Sequence, residues 1–238
     1  MASLWDVKSM IVYEDRDILV CHKEAGIPVQ SARLGTMDME NALKNHLAME
    51  NTRKIPYVGL IHRLDQPVEG LVLFAKNPKA AAELSRQMTC GELKKVYLAV
   101  TDAVDVPEKG EFTDFLKKDG RANISAVVSK EALGGREARL KYRVADWQRD
   151  RTLLEIFLDT GRHHQIRVQM AYHKMPLLGD CKYGGGECEH GLALCAYSLS
   201  WIHPRTRKRM SACIRPKGEP FAAFGFCNKI SSCVKSLP

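Results

Sequence analysis

Short apolar runs broken by turn residues dominate this chain. Ile11-Val12-Tyr13-Glu14-Asp15 opens with a strand-like stretch, and Asp17 to His22 is an apolar run ended by Lys23-Glu24-Ala25-Gly26, a strand followed by a turn. Asp38 is placed to cap a helix whose apolar residues Met39, Leu43 and Leu47 recur every four positions. Leu71 to Ala75 is continuously apolar, the pattern of a strand buried on both faces. Asn77-Pro78 then starts a helix, with Ala81, Leu84 and Met88 as the predicted buried stripe. Lys95 to Val100 reads as another strand. Residues 105 to 135, rich in Gly, Lys and Asp, read as an exposed hairpin or loop region.

Arg139 to Val144 alternates basic with apolar residues, which predicts a strand whose wet face carries Arg139, Lys141 and Arg143. That face suits either water or RNA phosphates. Leu153 to Leu158 is a further strand, Gly161 breaks the chain, and His163 to His173 reads as a helix with Ile166 and Met170 inward. Ala193 to Trp201 and Met210 to Ile214 close the sheet. Strands outnumber helices and do not alternate with them regularly. The pattern predicts an α+β fold with a largely antiparallel or mixed central sheet and flanking helices.

The 238 residues fit one large domain or two small ones, and 45% apolar residues suffice for a sizeable core. Lys plus Arg is 36 against 28 for Asp plus Glu, a formal charge of +8, which favours a polyanionic partner such as nucleic acid. No stretch reaches the roughly 18 apolar residues a membrane helix needs. The opening Met1 to Asp6 lacks the basic and apolar regions of a signal peptide, so a cytoplasmic location is expected. The eight cysteines (Cys21, Cys90, Cys181, Cys188, Cys195, Cys213, Cys227, Cys233) are then expected as reduced thiols. Cys181, Cys188, His190 and Cys195 lie close in sequence but contain no Cys-x-x-Cys pair, and Cys195 sits in an apolar run, so no metal site is expected.

Two motifs carry chemistry. Ile61-His62-Arg63-Leu64-Asp65 precedes the apolar run from Gly70 to Lys76, and Thr160-Gly161-Arg162-His163-His164-Gln165-Ile166-Arg167 lies at a strand-to-helix junction. Taken alone, Asp65 is a turn or cap aspartate. If the two loops meet, Arg167 holds Asp65 ionised by a charge-assisted bond, and a fixed carboxylate is a nucleophile or cation stabiliser at a sugar C1′. An ordinary glycosidase needs a second carboxylic acid, and Glu69 is the only nearby candidate.

These residues resemble the RluA family of RNA pseudouridine synthases. His62 to Asp65 and Gly70 to Lys76 match the block around the family's aspartate. Thr160 to Arg167 matches another block with His163 in place of Thr, Lys174 to Asp180 with Tyr183-Gly184 matches its continuation, and Lys95-Val96-Tyr97 matches the Lys-x-Tyr block. The likeness runs from about Ile11 to about Pro216. It implies the pseudouridine synthase fold with a central active-site cleft, a catalytic domain over residues 1–220 without an N-terminal S4 module, and a C-terminal tail over 221–238.

By position, the resemblance implies that Asp65 attacks C1′ or promotes a glycal intermediate. Tyr97 packs against the target base, and Arg167 pairs with the aspartate. Arg63 fills the gap left by the flipped nucleotide, Arg162 binds phosphate or braces its loop, and His164 and Gln165 shape the turn or hold RNA, with His62 among the RNA-binding set. It implies a cytoplasmic monomer that acts on tRNA or rRNA with no cofactor. Two departures stand out: Val68-Glu69 replaces Thr-Ser, adding a negative charge near the site, and Cys195 stands where many members have His. Two other classes fit the same residues, a non-catalytic RNA-binding or assembly factor and a glycoside hydrolase using Asp65 with Glu69.

Overall fold

The computed structural model describes residues 6–31, 36–50, 55–103, 105–184 and 191–236. In chain order the first elements are α1 (Val7–Met10), β1 (Ile11–Glu14), β2 (Ile18–Lys23), α2 (Met39–Glu50), β3 (Gly59–Leu60), β4 (Glu69–Ala75) and α3 (Pro78–Thr89). Then follow β5 (Lys94–Thr101), β6 (Lys109–Asp119), β7 (Ile124–Val128), β8 (Arg136–Gln148), β9 (Arg151–Leu158) and α4 (Gln165–Tyr172). The chain closes with β10 (Leu194–Ile202), β11 (Arg209–Cys213), α5 (Glu219–Ala222), α6 (Gly225–Asn228) and β12 (Cys233–Ser236). The mixture is α+β, as the sequence pattern predicts. No described helix is long and apolar enough to cross a membrane. The described residues divide into two compact units: one holds the chain up to Lys94, Tyr197–Ile214 and the segment from Ser231; the other holds Lys95–Ala196 and Arg215–Ile230.

In the first unit β2 pairs antiparallel with β1 on one side and β4 on the other, with Lys23 opposite Gly70. β4 is buried at every residue, as its unbroken apolar run requires. Asp38 caps α2 as expected: its Oδ1 accepts the Asn41 amide at 2.8 Å and its Oδ2 the Ser31 amide at 2.8 Å. Asn77 caps α3 by accepting the Ala80 amide at 2.9 Å.

The buried stripe of α3 differs from the expected one. It consists of Ala80, Leu84 and Gln87 rather than Ala81, Leu84 and Met88. The reason is polar: the fully buried Gln87 side chain donates to the Ile202 carbonyl at 2.8 Å and accepts its amide at 2.9 Å, so an amide side chain extends the backbone ladder where an apolar one cannot. β10, β11 and β12 form an antiparallel meander. The turn between β10 and β11 is organised by the buried His203 ring, which takes the Arg205 and Thr206 amides on Nδ1 and meets Asp15 Oδ2 on Nε2 at 2.7 Å. Asp17 accepts from Asn77 and Arg205 beside it, so this cluster of Asp15, Asp17 and His203 is answered by protein groups.

The second unit is an antiparallel sheet in the order β5-β9-β8-β6-β7. The region read as a hairpin or loop is the long β6–β7 hairpin. The wet face of β8 is neutralised on the protein itself. Arg139 pairs with Glu137 at 2.7 Å, Lys141 with Glu111 at 3.3 Å and Arg143 with Glu155 at 2.5 Å. The first two pairs are exposed and contribute about 0–1 kcal/mol each, while the third joins an exposed Arg143 to the buried Glu155, so the face is not a row of free cations. After β11 the chain returns to this unit, where Phe221 and Phe224 are buried and Asp146 accepts the Phe226 amide at 2.9 Å.

Of the eight cysteines, Cys21, Cys90, Cys195, Cys213, Cys227 and Cys233 are free thiols, and Cys195 is fully buried, in keeping with its apolar run. Cys181 departs from the expectation of reduced thiols, being disulfide-bonded. Cys188 and His190 of the weighed metal set lie outside the described residues.

Candidate active site

Asp65 lies on the turn between β3 and β4, half-buried, its carbonyl accepting the Val68 amide at 3.0 Å. The next residue anchors that turn. The Gln66 carbonyl accepts the Gly26 amide at 2.9 Å and the Gln66 side chain donates to the Gly26 carbonyl at 3.0 Å. The third tie is Lys23, at the end of β2 and wholly inaccessible to solvent. Its ammonium donates to the carbonyls of Glu24 at 3.0 Å, Ile27 at 2.9 Å and Gln66 at 2.9 Å. Burial lowers its pKa to about 8, opposed by the Asp65 and Glu69 carboxylates. Sequence reasoning passed over Lys23 as part of a turn; the available signal was a lysine closing an apolar strand.

A Lys23→Met variant takes a donor from three carbonyls, of which those of Gln66 and Glu24 keep the Gly26 and Ile27 amides. It is expected to lose about 1–3 kcal/mol in urea unfolding, the cost of the Ile27 carbonyl left unmet, of which the methionine stem recovers part by packing.

The neighbours of Asp65 take distinct positions. His62 is buried, its Nε2 accepting the Leu73 amide at 3.3 Å, which fixes the loop to β4. Arg63 is exposed. Glu69, the extra acid, is buried at the start of β4 and meets His22 Nε2 at 2.7 Å. The added charge is therefore paired rather than displayed.

The other predicted residues belong to the second unit. Tyr97 is buried on β5 opposite Ile156 of β9. Arg167 is buried on α4 and grips Asp180 in a bidentate pair, Nε to Oδ2 at 2.8 Å and Nη2 to Oδ1 at 2.7 Å. The Asp180 carboxylate also accepts the Lys182 amide at 3.1 Å. The Arg167 guanidinium lies 5.2 Å from the centroid of the Tyr183 ring. Asp180 is reached through Gly179, whose φ of +73° is left-handed and where a Cβ would stand 2.0 Å from the Gly191 carbonyl oxygen. Glycine alone fits there. The motif block that carries Asp180 was legible in sequence; its role as anchor of Arg167 was not, because the two are 13 positions apart on separate elements.

The turn before α4 is built by its own side chains. His164 adopts φ +52°, ψ +25° at the helix N-cap, a left-handed conformation costly for a non-glycine residue. It is held there by a bond between Nδ1 and the Tyr183 hydroxyl at 2.8 Å and by stacking on His163 at 3.8 Å. His163 in turn meets Ser125 Oγ at 2.9 Å and Asn123 Oδ1 at 3.1 Å. Gln165 Oε1 accepts from the Thr160 hydroxyl and the Arg162 amide, both at 2.9 Å, and its Nε2 donates to the Arg139 carbonyl at 3.0 Å. Arg162 is exposed but donates from Nε to the Glu137 carbonyl at 2.8 Å. Gln165 and His164 thus shape the turn, and Arg162 braces it while keeping part of its guanidinium outward.

Comparison with known proteins places this arrangement. A family model described as RNA pseudouridylate synthase matches residues 17–172. The chain is 34% identical over 202 residues to the uncharacterized RNA pseudouridine synthase YlyB of Bacillus subtilis, across 82% of this chain and 65% of that protein. It is 35% identical over 185 residues to the ribosomal large subunit pseudouridine synthase D of Vibrio cholerae, across 76% of this chain and 55% of that protein. The chain therefore spans between about half and two thirds of the length of these relatives. Among solved structures, human RNA pseudouridylate synthase domain containing 4 superposes with a TM-score of 0.74 at 21% identity, covering 89% of this chain and 91% of that one. Human RNA pseudouridylate synthase domain containing 1 superposes at 0.71 and 20% identity, covering 96% and 89%. These two establish likeness of fold.

Proposed function

The chain belongs to the RNA pseudouridylate synthase family, RluA type, and on that premise we propose that it isomerises uridine to pseudouridine in structured tRNA or rRNA, with Asp65 as nucleophile. The observation that carries this reading is the span of the family match, residues 17–172, which includes Asp65, Tyr97 and Arg167. Each of these stands on an element stiffened by buried polar bonds, as a preorganised site requires.

Asp65 cannot reach C1′ inside a stacked helix, so the uridine leaves its stack at a cost of a few kcal/mol. Lys and Arg contacts to phosphates offset that cost and make binding weaken with salt. The N1–C1′ bond then breaks, by attack of Asp65 on C1′ or through a glycal formed by loss of a C2′ proton, with Tyr97 the base in the second route. The uracil leaves as an anion, turns, and forms C5–C1′, which breaks the Asp65–C1′ bond in the first route and returns the proton to C2′ in the second. C5 gives its proton to the medium and N1 takes one up, so the mass is unchanged. A base that never departs needs no acid to protonate it away, which agrees with the absence of a second carboxylic acid beside Asp65 in its motif. The reaction draws on side chains alone.

In this reading Arg167 orients Asp65, and Tyr97 walls the base. Arg63, exposed beside Asp65, fills the gap in the RNA stack. Arg162 meets phosphate, while His62, His164 and Gln165 hold the loops that face RNA. The protein acts as a monomer, without metal or organic cofactor, and residues 1–220 form the catalytic part. The test is a map of pseudouridine in RNA from cells with and without this gene. One or more sites disappear on deletion and return with the wild-type gene but not with an Asp65→Asn allele; an unchanged map contradicts the proposal.

A further inference from the structure

Lys95 is the first residue of the Lys-x-Tyr block and stands two positions before Tyr97 on β5, so the two side chains emerge on the same face of the strand. Its ammonium lies beside the Thr160–Arg167 motif: a Cβ at Gly161 would stand 4.0 Å from Lys95 Nζ. A side chain at that position would stand in van der Waals contact with the ammonium. No hydrogen bond or ion pair engages Lys95 among the described residues, in contrast to Arg139, Lys141 and Arg143 on β8, each of which has its glutamate. Burial lowers its pKa to about 8, and no charged neighbour contributes. A partly buried cation without an anion is a costly arrangement that a protein keeps when a ligand supplies the anion.

We infer that Lys95 is a phosphate-binding residue that receives the RNA backbone at the nucleotide packed against Tyr97. This rests on the functional reading above and deepens it by naming a contact that fixes the substrate. The titratable groups around Lys95 do not replace that anion. On β5 these are Lys94 and Tyr97; on β9 Glu155, held by Arg143, with Asp159 following; in the turn Arg162, His163 and His164, each engaged as described; and on β10 the buried Cys195.

The test measures the affinity of the full-length protein for an unmodified stem-loop RNA transcript against pH and salt, in wild type, Lys95→Arg and Lys95→Gln. A phosphate raises the pKa of the ammonium it binds, so RNA binding takes up a proton once the free lysine begins to lose it. Wild-type affinity then falls by about tenfold from pH 7 to pH 9 through this group. Lys95→Arg, charged throughout, removes that part of the fall; any share due to Lys23 persists in both and cancels in the comparison. Lys95→Gln binds about five- to tenfold more weakly at pH 7, with the slope of log K against log salt smaller by about one, and its loss appears in KM rather than kcat. Identical pH and salt profiles in wild type and Lys95→Arg, or equal impairment of both variants with lowered melting temperatures, overturn the assignment. Wild-type protein that neither binds nor isomerises any uridine-containing RNA overturns the functional reading instead.

Discussion

Replacing Asp65 with Asn is expected to remove pseudouridine formation, by at least about 10⁴-fold in single-turnover rate, while RNA affinity is expected to change by less than about threefold. The asymmetry follows from what the side chain does. Its backbone carbonyl, not its carboxylate, closes the turn onto Val68, and the turn is tied down through Gln66 to Gly26 and Lys23. The amide of Asn therefore leaves those backbone ties in place. What it lacks is the charge: an amide neither attacks C1′ nor stabilises positive charge developing there. RNA binding persists because phosphate contacts supply it and one carboxylate does not. A rate within tenfold of wild type would remove Asp65 from the chemistry.

The largest loss of stability is expected from Asp180→Ala. The Arg167–Asp180 pair is almost fully buried and bidentate, with side-chain exposures of 5% and 0%. Removing the carboxylate strands a buried guanidinium, and such single deletions cost about 3–5 kcal/mol. The Lys182 amide loses its acceptor as well. Equilibrium unfolding in urea checks the value. The pair itself is a weak net stabiliser, because desolvation cancels much of its attraction. The double variant Arg167→Met/Asp180→Leu is therefore expected to recover at least half of the lost stability and still form no pseudouridine. Recovery of activity in the double variant would rule out the catalytic role proposed for Arg167.

The elements were mostly legible in the pattern of apolar residues. β4 announces itself as an unbroken apolar run, and Asp38 and Asn77 announce the helices they cap. The α3 stripe was not legible, because burying Gln87 depends on the Ile202 backbone, 115 positions away. The start of α4 was read two residues early, since His164 takes a left-handed conformation that the Tyr183 hydroxyl and His163 ring help to sustain.

The site divides in the same way. Asp65, Tyr97 and Arg167 were singled out because motif blocks name those positions. Lys23 and Asp180 were missed as actors because their roles are contacts, one with three backbone carbonyls and one with a guanidinium, that no local spacing encodes. The disulfide at Cys181 was not legible, because the expectation of reduced thiols came from an expected compartment and not from the residues around that cysteine.

The most direct measurement supplies RNA transcribed with tritium at uridine C5 and follows three products together: tritium in water, pseudouridine in the digested RNA, and free uracil. Isomerisation with a retained base predicts tritium released one for one with pseudouridine, no free uracil, and neither product with Asp65→Asn. Free uracil without pseudouridine, or no tritium from tRNA and rRNA substrates alike, would contradict it.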